Sequence, residues 1–216
     1  MRGKHLGLIA LFVCAMAVNV QAALLTNPSF EQPVVGNPDF NYYYAGNPAI
    51  TGWTIVGGSV DLLSTNWKAH DGNQSIDLAG VTPGGLYQDV STTPGQSYRL
   101  GFWLAGNPEF PGSTGPVVKT AKLSWGGNSV ANLSFDTTGK SKTDLGWTFY
   151  SYDLAATAAT TRLQFDNTSS GSSGALIDDV TLVQLAPPSS APLPAGLFSG
   201  TLTAGTLLVA RRRCKR

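Results

Sequence analysis

The sequence predicts an all-β domain, a sandwich or barrel, on three observations. Between residues 23 and 185, short runs rich in β-branched and aromatic residues alternate with clusters of Gly, Pro, Asn and Asp. These runs recur roughly every ten residues, a spacing typical of antiparallel strands in sandwiches and barrels. No 12-residue stretch of this region carries a sustained helical stripe of apolar residues.

Ten runs are predicted as strands, in chain order. The first two, 53–56 and 60–63, flank Gly57-Gly58-Ser59, which predicts a hairpin-like turn between them. The other eight are 74–78, 86–90, 97–105, 121–125, 130–135, 147–154, 161–165 and 176–185. The Ala-rich patch at 155–159 is too short for a stable helix, so it is predicted as a connection.

The two ends of the chain carry export signals. Arg2 and Lys4 precede an apolar stretch at 6–18, and Val20-Gln21-Ala22 supplies small residues for signal peptidase, so residues 1–22 are predicted as a cleaved signal peptide. At the other end, a Pro/Ser spacer at 186–191 precedes an apolar segment at 195–210 and a basic end at 211–216. Sixteen residues of helix span about 24 Å, short of a bilayer core of about 30 Å, so this short transmembrane helix predicts transient membrane contact.

This tail, residues 192–216, resembles the PEP-CTERM class of bacterial sorting signals in its Val-Pro-Leu-Pro-Ala variant, with Ala191 where that variant has Val. The matching residues are Pro192, Leu193, Pro194, Ala195 and Gly196, followed by Arg211, Arg212 and Arg213. The resemblance implies processing by an exosortase-like enzyme, in a Gram-negative bacterium that makes exopolysaccharide or biofilm matrix. The alternative is a plain single-span anchor. Either way, the domain is expected at the envelope surface or in the extracellular matrix.

Charge and cysteine content exclude several classes of function. Residues 23–185 hold seven of the 14 Lys and Arg and all 13 acidic residues, which gives 7 − 13 = −6. A domain of this charge lacks the basic footprint of a nucleic-acid-binding protein. Cys14 and Cys214 lie in the terminal segments, so the domain has no disulfide, thiolate metal site or Cys nucleophile.

A second resemblance covers most of residues 23–185. The motifs that carry it are Asn27-Pro28-Ser29-Phe30-Glu31, Gly52-Trp53-Thr54, Gly58-Ser59-Val60-Asp61, 72–78, 104–108, Gly146-Trp147 and Ile177-Asp178-Asp179-Val180. Together they resemble the choice-of-anchor C family of bacterial surface proteins, which is similar to a domain of unknown function in plant cell-wall proteins. The resemblance implies a galactose-binding-like jelly-roll β-sandwich, a fold shared by many carbohydrate-binding modules. The plant proteins carry two such domains and characteristic Cys residues, and this chain has one domain without Cys.

Exposed aromatic rings among polar groups are the residues expected to bind sugar, because the C–H faces of sugars stack on them. Tyr42, Tyr43 and Tyr44 lie between two Gly-Asn-Pro segments, where at least one ring should be exposed in a loop, and Trp67 is a second candidate. The segment Glu109-Phe110 is a third candidate. The competing interpretation is packing, which is favoured for the Trp residues at 53, 103, 125 and 147 because they lie within predicted strands. A solvated or hydrogen-bonded role is favoured for His70.

Glu31 near the start of the domain and Asp178 or Asp179 on its last strand predict a structural Ca²⁺ site, if these segments are neighbours. The alternative is that Glu31 forms a salt bridge and that Asp178 and Asp179 are an exposed acidic pair. An enzyme is not expected, because one His, no Cys and no nucleophile-elbow, HExxH or phosphate-loop motif occur in the domain. The sequence therefore favours a non-catalytic exopolysaccharide-binding module, with a structural or adhesion protein without a sugar site as the alternative.

Overall fold

The computed structural model describes residues 23–108 and 115–186, which form two antiparallel sheets packed face to face. The predicted signal peptide, the sorting signal and Glu109-Phe110 lie outside these residues. The strands are β1 (Phe40–Tyr44), β2 (Thr54–Gly57), β3 (Ser59–Leu63), β4 (Ser75–Asp77), β5 (Gly84–Ser91), β6 (Ser97–Gly106), β7 (Val118–Trp125), β8 (Asn128–Asp136), β9 (Thr148–Ala155), β10 (Thr160–Asn167) and β11 (Ala175–Gln184). The predicted all-β jelly-roll sandwich is confirmed.

The first sheet has six strands in the order β1-β3-β4-β11-β6-β9, and the second has five in the order β2-β5-β10-β7-β8. Successive strands change sheets at most steps, so each sheet contributes one face to a shared core. Strand alternation sends every second side chain into that core. Phe102 of β6 meets Phe165 of β10 edge to face at 5.0 Å between ring centroids, which joins the two sheets at the centre.

Two details of the strand prediction are wrong. Strands β2 and β3 belong to different sheets, so Gly57-Gly58 is a crossover between layers and no hairpin forms there. The tyrosines at 42–44, expected in a loop, lie in β1, an edge strand paired with β3. The ten predicted runs all correspond to strands, and the Ala-rich patch at 155–159 connects β9 to β10 without a helix.

The segment before β1 closes the sandwich by crossing from one sheet to the other. Thr26 N–H donates to Gln88 Oε1 of β5 at 2.7 Å, and Val180 N–H of β11 donates to Pro28 O at 3.0 Å. Phe30, fully buried, lies 5.2 Å from the Trp53 ring between centroids. The first residues of the domain are thereby fixed against its last strand.

Gly72 lies in the loop of residues 70–74, called here the clamped loop, with a φ of +64°. A Cβ at Gly72 would overlap the Glu31 carboxylate. We expect Gly72→Ala to lower the free energy of unfolding by more than about 1 kcal/mol, since the energetic cost of an unfavourable φ and that of a steric clash add together. Urea denaturation measures this loss.

Gly127→Ala is the matched control, because Gly127 has a φ of +82° and no atom lies within 4 Å of the position that an added Cβ would take. It should show only the conformational loss of about 1 kcal/mol. Equal losses in the two variants would contradict the packing argument at Gly72.

Candidate functional site

A groove lies on the outer face of the six-stranded sheet, over β11, β6 and β9 at the β9 edge. It has a volume of about 740 Å³. Its lining residues occupy alternate positions of the three strands, opposite in phase to the core residues. They are Arg99, Gly101, Phe149, Ser151, Asp153, Thr181, Val183 and Leu185. These residues define what we call the outer groove.

The floor of the outer groove is formed by Phe149 lying over Gly101. The Phe149 side chain is 53% exposed although it sits within a strand. A Cβ at Gly101 would be 3.0 Å from Phe149 Cζ and 2.7 Å from Thr181 Oγ1, so only glycine lets the ring approach the sheet here. The ring therefore offers one face to whatever enters the groove.

One end of the outer groove carries a charge-neutral ion pair. Arg99 Nε and Nη2 donate to the two oxygens of Asp153 at 2.7 and 2.8 Å. The Arg99 guanidinium holds the pKa of the exposed Asp153 carboxyl below its usual range. The hydroxyls of Ser151 and Thr181 stand beside the pair. A ligand with many hydroxyl groups finds both donors and acceptors along this wall.

An aromatic row continues from the groove along the same face. The ring centroids of Phe149 and Trp103 are 5.4 Å apart, and His70 stacks on Trp103 at 3.8 Å. Trp147 meets His70 edge to face at 6.4 Å. Phe149, Trp103, His70 and Trp147 therefore form one connected line from the outer groove to the loops beyond it.

The far end of the aromatic row borders a second, smaller hollow of about 350 Å³, called here the lysine hollow. Its lining is Lys68, Ala69, His70, Thr143, Asp144, Leu145, Gly146 and Trp147. Two hydrogen bonds fix its walls together. Trp147 Nε1–H donates to Lys68 O at 3.0 Å, and Lys68 N–H donates to Lys142 O at 2.8 Å. The Trp147 ring is therefore held in place before any ligand arrives.

A β-bulge in β11 aims Asp179 towards the aromatic row. The register with β6 shifts between Asp178 and Thr181, and Asp179 has a φ of +46°. Its Oδ2 lies 3.4 Å from His70 Nδ1. Bulges re-aim side chains in this way and are frequent beside functional sites.

Two of the three carboxylates predicted to hold Ca²⁺, Glu31 and Asp178, accept hydrogen bonds from backbone N–H groups. Glu31 Oε1 accepts the N–H groups of Asn73 and Gln74, both at 2.9 Å. Asp178 Oδ2 accepts those of His70 and Asp71 at 2.8 and 3.0 Å, while its Oδ1 accepts Asp179 N–H at 2.7 Å. Within residues 23–108 and 115–186, no group of three or more His, Cys, Asp or Glu side chains is placed to hold a metal. Glu31 and Asp178 thus bind the clamped loop, and Asp179 faces His70.

Burial shifts the protonation of Asp178 and of a second carboxylate, Asp77. Desolvation raises the pKa of each from 3.8 to about 7, against the opposing effect of the N–H groups that each accepts. For Asp77 these donors are Ala79 N–H, Gly174 N–H and Asn107 Nδ2 at 2.8 to 2.9 Å.

The predicted sugar-binding residues separate into exposed and buried ones. Tyr42 and Tyr44 are exposed on the outer side of β1, with their centroids 5.7 Å apart, and Tyr43 packs against the core. Tyr42 and Tyr43 also border an open hollow of about 680 Å³ with residues 37 and 39–41. This surface is at the opposite edge of the six-stranded sheet from β9, so it is separate from the outer groove.

The prediction that Trp67 is an exposed platform is wrong. Its side chain is 4% exposed, the Lys142 ammonium lies 3.7 Å above the ring centroid, and Phe40 covers the edge. Its Nε1–H donates to Asn107 Oδ1 at 3.2 Å, which links it to Asp77. Trp67 therefore seals the outer face of the sheet beside β1.

Sequence reasoning missed the residues of the outer groove and assigned Trp103 to the core. Trp103 is half-buried and points away from the buried side chains of Phe102 and Leu104, whereas Trp147, also half-buried, packs against the core. Alternation along β6 was the signal that could have found this, because adjacent strand residues face opposite sides. The same alternation applies to β9. The ring of Tyr150 stacks on Phe102, so its neighbour Phe149 faces the opposite side of the sheet.

A family model described as "Protein of unknown function (DUF642)" matches residues 23–183. The chain belongs to the DUF642 family. Its DUF642 domain is also similar to a segment of halomucin from Haloquadratum walsbyi (strain DSM 16790 / HBSQ001), with 31% identity over 180 residues. That match covers 81% of this chain and 2% of halomucin, so the chain spans a small part of that relative.

Solved structures with a similar arrangement include TmCBM61 in complex with β-1,4-galactotriose, with 22% identity and a TM-score of 0.49. That likeness covers 76% of this chain and 100% of the other. A family 35 carbohydrate-binding module from Clostridium thermocellum has 14% identity and a TM-score of 0.44, covering 67% and 97% of the two chains. Identities this low concern the fold alone.

The sorting residues 192–196 and 211–213 lie outside the described residues, as does the predicted membrane segment. The part of the chain that the structure describes contains no helix with the length and apolarity of a membrane span.

We expect the thermal unfolding midpoint to be the same with and without a calcium chelator, because backbone N–H groups already occupy Glu31 Oε1 and both Asp178 oxygens. Differential scanning calorimetry with EDTA and with added Ca²⁺ measures it. A midpoint that rises with Ca²⁺ concentration would instead support the predicted calcium site.

Stability should fall as the pH rises from about 4 to about 7. Across this window folded Asp77 and Asp178 retain protons that the unfolded chain has released, since their pKa is raised from 3.8 to about 7. The free energy of unfolding should therefore decrease, by on the order of a few kcal/mol, and level off above about pH 7. Urea denaturation at a series of pH values measures it.

The ion-paired carboxyls do not obscure this window. Arg162 lowers the pKa of Asp89, and Arg99 lowers that of Asp153. The contribution of these two ion pairs to the free energy of unfolding is therefore lost only as the pH falls through the ordinary carboxyl range and below it. A constant unfolding free energy between about pH 5 and about pH 7 would contradict the raised pKa values.

Proposed function

We propose that this domain is a non-catalytic polysaccharide-binding module, and that its glycan lies in the outer groove. The observation that carries the proposal is the Phe149 ring, exposed on the groove floor and flanked by hydroxyls and the Arg99–Asp153 pair. A sugar presents C–H groups on its faces and hydroxyls at its rim, so it matches an apolar floor between polar walls. The volume falls within the range of about 300–1,000 Å³ common for ligand sites.

The rigidity of the groove supports binding over loose surface contact. All its strand positions belong to β6, β9 and β11, and the Arg99–Asp153 pair is bidentate. A preformed site loses less conformational entropy when the ligand arrives. The four rings of the aromatic row extend this surface, which suits a polymer better than a single sugar.

We further propose that the protein is exported to the cell surface or the extracellular matrix of a Gram-negative bacterium, as a choice-of-anchor C protein. Signal peptidase would act after Ala22, and an exosortase-like enzyme would process the PEP-CTERM-type tail after a transient stay in the membrane. The family match begins at residue 23, directly after the predicted cleavage point, which supports this boundary. An exopolysaccharide of the producing cell is then the nearest glycan.

Phe149→Ala should lower the affinity for a bound glycan at least tenfold, equivalent to about 1.4 kcal/mol, because the stacking floor is removed. Isothermal titration calorimetry or affinity electrophoresis with the purified exopolysaccharide measures the change. The variant should still fold, since Phe149 is largely exposed.

Tyr44→Ala is the matched control, because Tyr44 is 52% exposed in a strand of the same sheet but at its opposite edge. It should leave affinity unchanged. Loss of binding in Tyr44→Ala with retention in Phe149→Ala would move the site to β1. Absence of wild-type binding to any glycan of a broad array would instead support the structural or adhesion role.

A further inference from the structure

The cationic side chains of the domain are distributed unevenly. Of its seven Lys and Arg, three form surface ion pairs: Arg99 with Asp153, Arg162 with Asp89 and Lys122 with Asp166. Lys119 is buried and acts electrostatically on Asp77. The Lys142 ammonium lies over the Trp67 ring. The remaining two cations are Lys68 and Lys140.

Lys68 and Lys140 meet at the lysine hollow. Lys68 lines it, and the Lys140 ammonium packs against Gly146, another lining residue. Within the described part of the chain, no carboxylate oxygen lies within 4 Å of either ammonium. Asp144 is the one carboxylate in the lining, so two lysines border the hollow against one lining carboxylate. In a domain with a net charge of −6, the lining of this hollow stands out because more of its neighbours are lysines than carboxylates, with Asp179 set behind His70.

The hollow pairs these cations with an aromatic ring that is already fixed in place. Trp147 is held by its bond to Lys68 O, and it precedes Phe149 by two residues at the start of β9. Two residues of extended chain span about 7 Å, so one polymer can reach both rings. A polymer that stacks on Phe149 and reaches Trp147 therefore passes the hollow that the two lysines border.

We propose that the glycan bound by this domain is an acidic polysaccharide, one of whose carboxylates is taken by Lys68 and Lys140 while a neighbouring sugar stacks on Phe149. This inference rests on the proposed function. The negative charge of the rest of the domain repels an anionic polymer elsewhere, so the two lysines also fix its position and direction.

The test compares sodium alginate, a polymer of uronates, with its carboxyl-reduced form, which keeps the backbone but loses the charge. Wild type should bind alginate at least tenfold more tightly than the reduced polymer at about 0.1 M salt, where charges beyond about 10 Å are screened, with the difference shrinking at about 1 M salt. The double variant Lys68→Gln/Lys140→Gln should remove this preference and its salt dependence. It should leave the weaker binding of the reduced polymer unchanged.

Lys122→Gln, which removes one positive charge from the five-stranded sheet, is the control for charge removal elsewhere and should behave as wild type. The inference is overturned if the double variant binds alginate as wild type does, or if wild type binds the two polymers equally or binds neither. Phe149→Ala separates these failures from that of the proposed function. If binding of a glycan depends on Phe149 but not on the lysines, the proposal of a polysaccharide-binding module stands and the proposal of an acidic ligand fails.

Discussion

The clamped loop is held by two carboxylates that bind backbone N–H groups, and the outer surface of the six-stranded sheet depends on this arrangement. Asp178 of β11 accepts from the start of the loop and Glu31, before β1, accepts from its end. Gly72 supplies the backbone turn between them. These hydrogen bonds join residues far apart in sequence where no disulfide or metal cluster is found among the described residues.

The consequence of this clamp reaches the candidate site. It fixes His70 at the first position of the loop, and His70 stacks on Trp103, which in turn contacts Phe149. The bulge that follows Asp178 presents Asp179 to the same imidazole. The interaction that closes the fold thus also aligns the aromatic row, so stability and recognition share residues. A variant of Asp178 is therefore unsuitable as a probe of binding alone.

The positions of the strands could be predicted from the sequence because each run carries its own period and is bounded by turn residues. The pairing partners of the strands could not be predicted, because Gly57-Gly58 is as compatible with a crossover between the two sheets as with a hairpin. The same limit applies to the site. Trp67 stands among polar residues but is buried by Lys142 and Phe40, contacts that depend on distant segments. Phe149 looks like a core residue until the phase of β9 is known.

The exit of the chain from the domain has a spatial consequence. Leu185, whose N–H donates to Ser97 O beside β6, lines the outer groove only one residue before the described chain ends. The last described residues therefore lie at the rim of the groove, on the same side of the sandwich. A polymer held in the outer groove would therefore lie against the last residues of the described chain.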